Sequence, residues 1–242
     1  MPGPVIFGEI LWGAGSRRSR TVYAAPGWRI STTGRALPRL MRSSCQRRLY
    51  PPAGVTAQRP SARPLPDWTK VRAFRPQSVA IAGCAGGNGI VRIATMGVNR
   101  IAGIDVNAEY LAAVHRRLGS WMPGLELHLA DIQTGVPDCA PVELVFAGLI
   151  LEYVEVAATL QVLRALCAPG GALVIVLQRS SDTKPAVSKS PYTSLQALAS
   201  VLQLRDPDAV TAAALLAGFS EHSRRCEVLE SGKAFEILSF RA

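Results

Sequence analysis

No acidic residue stands between Leu11 and Pro66 of this 242-residue chain. The segment also lacks a sustained apolar period, so it offers little burial to offset the entropy of ordering it. Residues 1–66 hold eleven arginines against one acid, Glu9, a balance of +10, whereas residues 67–242 hold sixteen basic and sixteen acidic groups. The net charge of +10 therefore belongs to the arm, and the remainder is neutral and is expected to have no nucleic-acid partner. We expect residues 1–66 to be mostly disordered, and three readings of them stay open. They could be an organelle transit peptide, which is Arg- and Ser-rich and poor in acids; a basic arm for nucleic acid; or an upstream segment without selected function, joined by an early start codon.

Other absences narrow the function further. The five cysteines, Cys45, Cys84, Cys139, Cys167 and Cys226, include no CxxC pair, so a disulfide framework and a zinc motif both lack support and no metal is expected. They read as small apolar residues in a reducing compartment. No apolar run approaches the roughly 20 residues of a membrane span, and "PVIFGEILWGAG" lacks the basic start of a secretory signal. The expectation is a cytoplasmic chain without a membrane partner, or an organellar one if the arm is a transit peptide. The three histidines are isolated. His128 alternates with Glu126 and Ala130 opposite Leu125, Leu127 and Leu129, which predicts a surface position.

From Asp67 onward the periodicity is orderly. A short apolar strand, Val79–Ala82, runs into a loop with four glycines, and Gly89–Met96 opens a helix from it. "RIAGIDV" is a second strand ending near Asp105, followed by a helix that Asn107 can cap and whose Leu111, Val114 and Leu118 form one stripe. "LELHLA" ends at Asp131 and "VELVFAG" near Gly148. A helix over Val156–Leu166 follows, and Pro169-Gly170-Gly171 is expected to stop it and start the buried strand "ALVIVLQ". After a Ser- and Lys-rich loop, Arg179 to Thr193, helical pattern returns in "SLQALASVLQL" and "PDAVTAAALLAGF". "SEHSRRCEVLE" and "KAFEILSFRA" then form a hairpin through Ser231-Gly232. Strands alternating with helices predict an α/β fold whose parallel sheet is covered on both faces.

Glycine permits positive φ and lets a ligand approach the main chain, and a loop entering a helix N-terminus suits an anionic or polar ligand. "GCAGGNG", Gly83 to Gly89, does not fit Gly-x-Gly-x-x-Gly in either frame, and without a lysine it is no P-loop. The loop, with Asp105 ending the second strand and Asp131 the third, the Pro-Gly-Gly and the terminal hairpin, resembles the class I S-adenosylmethionine-dependent methyltransferases from about Asp67 to Ala242. The resemblance implies a Rossmann-like, doubly wound, seven-stranded and mostly parallel sheet of order 3-2-1-4-5-7-6 with the last strand antiparallel. It implies S-adenosyl-L-methionine as cofactor. Gly83, Cys84, Ala85, Gly87 and Gly89 would pass the methionine moiety, Asp105 with Val106 would take the ribose hydroxyls, Asp131 with Ile132 would border the adenine, and Gly148 would be a further cofactor-binding residue. The backbone at Gly87 is expected to approach the ligand. Helix capping is the other reading of Asp105.

The family's frequent acid two residues before the first glycine is Ile81 here, and its middle glycine is Ala85. After the fourth strand, "FAGLILEYVE" replaces the Asn/Asp-Pro-Pro-aromatic motif of many nucleic-acid and protein amide methyltransferases. The segment is closer to the small-molecule branch, whose stretch often ends Leu-Glu-His, here Leu151-Glu152-Tyr153. Glu152 and Tyr153 are the candidate catalytic pair, against a helix-start acid and a half-buried aromatic. A small-molecule acceptor is expected. An RNA or protein methyltransferase using the arm, and a cofactor-binding protein without transferase activity, stay open.

Overall fold

The computed structural model describes residues 69–120, 122–181, 186–187, 200–229 and 231–242, with the backbone of six earlier residues. Those six form two-residue strands: Ile6–Phe7 pairs with Ile10–Leu11, and Thr32–Thr33 lies parallel to Leu129 and Ala130. The disorder expected of the rest of the arm falls outside the described residues. Regular structure then starts with the short helix α1, Thr69–Phe74.

Seven strands follow: β1 (Ser78–Ala82), β2 (Arg100–Asp105), β3 (Leu125–Ala130), β4 (Val142–Gly148), β5 (Cys167–Gln178), β6 (Ser220–Val228) and β7 (Ala234–Arg241). They are arranged 3-2-1-4-5-7-6, as expected, and Thr32–Thr33 extends the β3 edge. β7 runs antiparallel to both neighbours and the remaining pairs are parallel. β1 lies at the centre because it is apolar on both faces: Val79 and Ile81 face one cluster, Ala80 and Ala82 the other. Helices α2 (Asn88–Ala94) and α3 (Ala108–Leu118) close the first cluster with Ile90, Ile93, Leu111 and Val114. Helices α4 (Val156–Leu166) and α5 (Pro207–Leu216) close the second with Leu160, Leu163 and Val210. Among the described residues no helix is long and apolar enough to cross a membrane.

The caps explain where the helices start. Asn107 Oδ1 accepts from the amides of Glu109 and Tyr110, and Asp206 accepts from Asp208 beside Pro207 at the first position of α5. Glu155 caps α4 through Ala157 and Ala158.

Three expectations need correction. The α4 helix stops at Cys167, whose backbone is already extended, and Pro169-Gly170-Gly171 lies inside β5 as a bulge: Val142 pairs with Cys167 and Leu144 with Ala172. The helix expected over "SLQALASVLQL" lies partly outside the described residues, and its last residues, 202–204, are not helical. The segment bonds across the chain instead: Gln203 N–H donates to Glu152 C=O. His128 is buried, 8% exposed, since the β3–β4 crossover passes over that face. The terminal hairpin forms as expected, its turn closed by Gly232 N–H donating to Leu229 C=O.

Candidate functional site

The carboxyl ends of β1, β2, β3 and β4 meet at one edge of the sheet, where an open α/β fold places its ligands. The glycine loop hooks over this edge: the amides of Gly83 and Cys84 both donate to Ile104 C=O, at 2.9 and 3.0 Å. Gly83, Ala85 and Gly87 have φ of 70°, 44° and 75°. Ala85 thus adopts the left-handed region with a Cβ attached, a strain that glycine at this position would not carry.

Asp105 is 3% exposed. Its Oδ2 accepts from Ala85 N–H at 2.8 Å and its Oδ1 from Asn107 N–H at 2.9 Å. Burial pushes its pKa up to about 6, and the amides of Asn107, Ala85 and Val106 oppose that rise. At neutral pH it is a carboxylate. Each oxygen has two acceptor positions, so the carboxylate keeps acceptor capacity beyond these bonds, as a ribose hydroxyl needs. The capping alternative is not what the structure contains, because Asn107 caps α3 with its own side chain. Val106 is half-buried beside it.

Asp131 is half-buried at the end of β3, and burial raises its pKa. Its Oδ1 accepts from Gln133 N–H at 2.9 Å. Ile132 is buried in the second cluster. Gln133 Oε1 in turn accepts from Glu155 N–H, which ties this corner to the start of α4.

Cys84 points away from solvent: a Cβ on Gly103 would stand 3.1 Å from its sulfur, and burial raises its thiol pKa well above the ordinary value. It is a filler, as expected. Gly87 carries a packing constraint of its own. A Cβ there would lie 2.8 Å from Val114 Cγ2 and 3.2 Å from Arg117 Nη2, so the position lets the loop approach α3. Arg117 also donates to Gly86 C=O. Gly89 sits half-buried in the first turn of α2.

At the end of β4, a Cβ on Gly148 would lie 2.6 Å from Phe146 Cε1. The next residue, Leu149, has φ of 56°, and its amide donates to Val176 C=O. Two non-glycine residues in the left-handed region, Ala85 and Leu149, thus flank the carboxyl edge, where stored strain tends to concentrate.

Glu152 lies in a 3₁₀ turn, Leu151–Tyr153, and is 1% exposed. Its Oε1 accepts from Gln178 N–H at 2.8 Å, and its buried Oε2 has no partner. Burial pushes its pKa up to about 7, against the pull of that amide, its own and the Arg205 charge. Tyr153 is half-buried, and burial plus the neighbouring Glu152 carboxylate push its phenol up to about 12. The turn is held from outside: Arg205 donates Nε to Leu151 C=O at 2.9 Å and Nη2 to Val154 C=O at 2.8 Å. Of the loop Arg179–Thr193, residues 182–185 and 188–193 lie outside the described residues. Ala186 C=O accepts from Gln178 Nε2 and Lys233 Nζ. Two residues of this site carry no signal in the sequence: Leu149, whose φ leaves no trace in residue type, and Arg205, whose partners lie some fifty positions away.

Residues 79–171 match the methyltransferase domain family. The matched stretch runs from β1 into β5, and the sheet as a whole has the fold of S-adenosylmethionine-dependent methyltransferases. An S-adenosylmethionine-dependent methyltransferase from Mesorhizobium loti superposes with a TM-score of 0.57 at 19% identity, covering 73% of this chain and 97% of that one. The N-methyltransferase NodS from Bradyrhizobium japonicum WM9, in complex with S-adenosyl-L-homocysteine, gives 0.54 at 18%, covering 72% and 84%. The [4+2]-cyclase SpnF gives 0.54 at 14%, covering 72% and 79%. No curated protein matches the chain. The residues at the carboxyl edge are of a kind that fits the cofactor of such methyltransferases: the remaining acceptor capacity of Asp105 suits a ribose hydroxyl, and the half-buried Gly83 and Ala85 offer main chain with little side chain beside it.

Proposed function

We propose that this chain transfers a methyl group from S-adenosylmethionine to a small-molecule acceptor. The observation that carries the reading is Asp105, a buried carboxylate fixed by amides of the loops around it with acceptor capacity left for a ligand hydroxyl. In this reading Asp105 with Val106 holds the ribose hydroxyls, and Gly83, Cys84 and Ala85 border the methionine moiety. Asp131 and Ile132 border the adenine, and Gly148 closes the floor. Gly87 and Gly89 act one step back, by letting the loop enter α2 and rest on α3.

When bound, the cofactor supplies a methyl group on a sulfonium, open to in-line displacement. The chain's own task is to hold the acceptor in line and keep water out. Where the acceptor must lose a proton, Glu152 is the group to receive it at Oε2, since that oxygen is unpartnered and its pKa stands near neutrality. Tyr153 stays protonated at neutral pH and serves as a donor, not a base. The small-molecule class is favoured by "FAGLILEYVE" after β4, which lacks the Pro-Pro-aromatic platform for an amino group on a base or amide. The neutral charge of residues 67–242 points the same way. A reducing, cytoplasmic setting belongs to this reading; the four described cysteines are free.

Incubation of the full chain with methyl-labelled cofactor and metabolite extracts, followed by mass spectrometry, tests the proposal. A labelled small molecule that disappears with Asp105→Ala supports it. Label found only in RNA or protein, and lost when residues 1–66 are removed, moves the acceptor class. The similarity in fold to a [4+2]-cyclase keeps a second reading, cofactor binding without transfer; tight binding with no labelled product from any extract supports that one instead.

A further inference from the structure

On the sheet face that carries Ala102, Ile104 and Ala130 in its core, β3 places Glu126 and His128 two residues apart. The crossover from β3 to β4, residues 131–141, contains no helix, so no apolar helical stripe covers this corner. What meets it is Cys139 from the crossover and Arg100 from the start of β2. The donor atoms of Glu126, His128 and Cys139 all lie within 4.8 Å of one another.

Arg100 accounts for only part of the cluster. It donates Nε and Nη2 to the two oxygens of Glu126, at 2.7 and 2.9 Å, and Nη2 also to Ala140 C=O. The Cys139 sulfur is 3.5 Å from Nη2. His128 gains little from this arrangement. One ring nitrogen is 3.4 Å from Glu126 Oε2, a marginal hydrogen bond, and Nδ1 is buried with no partner. A buried polar atom without a partner costs about 1–3 kcal/mol, and a carboxylate, an imidazole and a thiol at this separation form the mixed donor set of a borderline-soft divalent cation.

We propose that Glu126, His128 and Cys139 form a zinc site, with water as the fourth ligand, that ties β3 to the β3–β4 crossover. Binding forms the Zn–S bond as the Cys139 thiol releases its proton to solvent; His128 binds neutral and no group changes oxidation state. The thiolate and carboxylate offset the two charges of the metal. Arg100 keeps the Glu126 oxygen that the metal does not use, as an outer partner that orients the ligand. The donors come from alternate positions of one strand and a loop beyond it, so no CxxC-type spacing announces them. The site is independent of the methyl-transfer reading.

Titration of the full chain with Co²⁺, then Zn²⁺, tests the proposal without any activity assay. Tetrahedral thiolate ligation gives Co²⁺ a sulfur-to-metal charge-transfer band and intense visible bands, both of which one equivalent of Zn²⁺ should remove. Cys139→Ser should abolish the charge-transfer band, and His128→Gln should weaken Zn²⁺ binding at least about tenfold, the usual scale for disturbing a metal's environment. Cys226→Ser, an exposed cysteine on β6, should change neither. Zn²⁺ should also raise the melting temperature of the wild type and not of Cys139→Ser. If Cys139→Ser does not fold, the His128→Gln titration decides. The absence of the charge-transfer band in the wild type, its persistence in Cys139→Ser, or unchanged Zn²⁺ affinity in His128→Gln overturns the proposal.

Discussion

The Asp105 carboxylate accepts from the Ala85 amide at 2.8 Å, joining the end of β2 to the glycine loop across 20 residues of sequence. The same side chain that is placed to receive a ligand therefore also shapes the loop beside that ligand. Asp105→Ala should weaken S-adenosylmethionine binding by about 1.5–3 kcal/mol, the range for a hydrogen bond to a charged group. It should also lower folding stability, because the amides of Ala85 and Asn107 lose their acceptor. Calorimetry and denaturant unfolding on the same variant separate the two effects. Lost stability with wild-type affinity would make Asp105 a loop tie and nothing more.

Ala85 and Gly87 share positive φ but for different reasons, and substitution should tell them apart. Ala85→Gly relieves a left-handed alanine worth about 1–2 kcal/mol, less the added freedom of the unfolded chain, so it should stabilise the fold modestly. Gly87→Ala should destabilise it, since Val114 Cγ2 stands 2.8 Å from the new Cβ. Gly87→Arg should then lose cofactor binding through a disturbed loop and α3, and its melting temperature should fall with it. A Gly87→Arg variant that melts like the wild type would mean that the position faces the ligand after all.

The order of the strands was legible only through the family resemblance, whereas the strands, the hairpin and most helix limits were legible because each rests on a local signal: an apolar run, a cap at Asn107, a Pro at 207, a Gly at 232. The acids that end β2 and β3 were legible for the same reason. The contents of the β3–β4 corner were not. His128 alternates with polar Glu126, which reads as an outward face, yet a crossover without a helix folds over it and buries it. Likewise, the pattern over 194–204 suggests a helix, while Arg205 and Gln203 are drawn across to Leu151, Glu152 and Val154. In both places partners distant in sequence decide the outcome, and no window of residues contains them.

Arg205 holds the turn that carries Glu152 by two charge-assisted bonds to main-chain carbonyls. Arg205→Ala should cost about 1.5–3 kcal/mol of stability and lower kcat while leaving cofactor affinity nearly unchanged. Arg205→Lys should not restore kcat, because an ammonium lacks the planar fork that spans Leu151 and Val154. Full rescue by lysine would show that the positive charge, and not the clamp, is what the turn requires.

Glu152 should leave a signature in the pH dependence of stability. Its pKa rises from the ordinary 4.5 to about 7 in the folded chain because burial penalises the carboxylate. Between those values the native state holds a proton that the unfolded state has released, so the group's contribution is present at low pH and is lost as pH climbs through 7. In Glu152→Gln that slope disappears, and Oε1 remains able to accept from Gln178 N–H. The stability of the wild type relative to Glu152→Gln should therefore fall by about 2–3 kcal/mol between pH 5 and pH 8, because a tenfold change in proton activity is worth about 1.36 kcal/mol per bound proton. Asp105, whose pKa burial also raises, is present in both proteins and cancels from the difference. Urea unfolding of both proteins across that range measures the difference directly. A difference that does not vary with pH would mean that Glu152 titrates as an exposed carboxyl, and it would no longer be the group held ready to take a proton near neutrality.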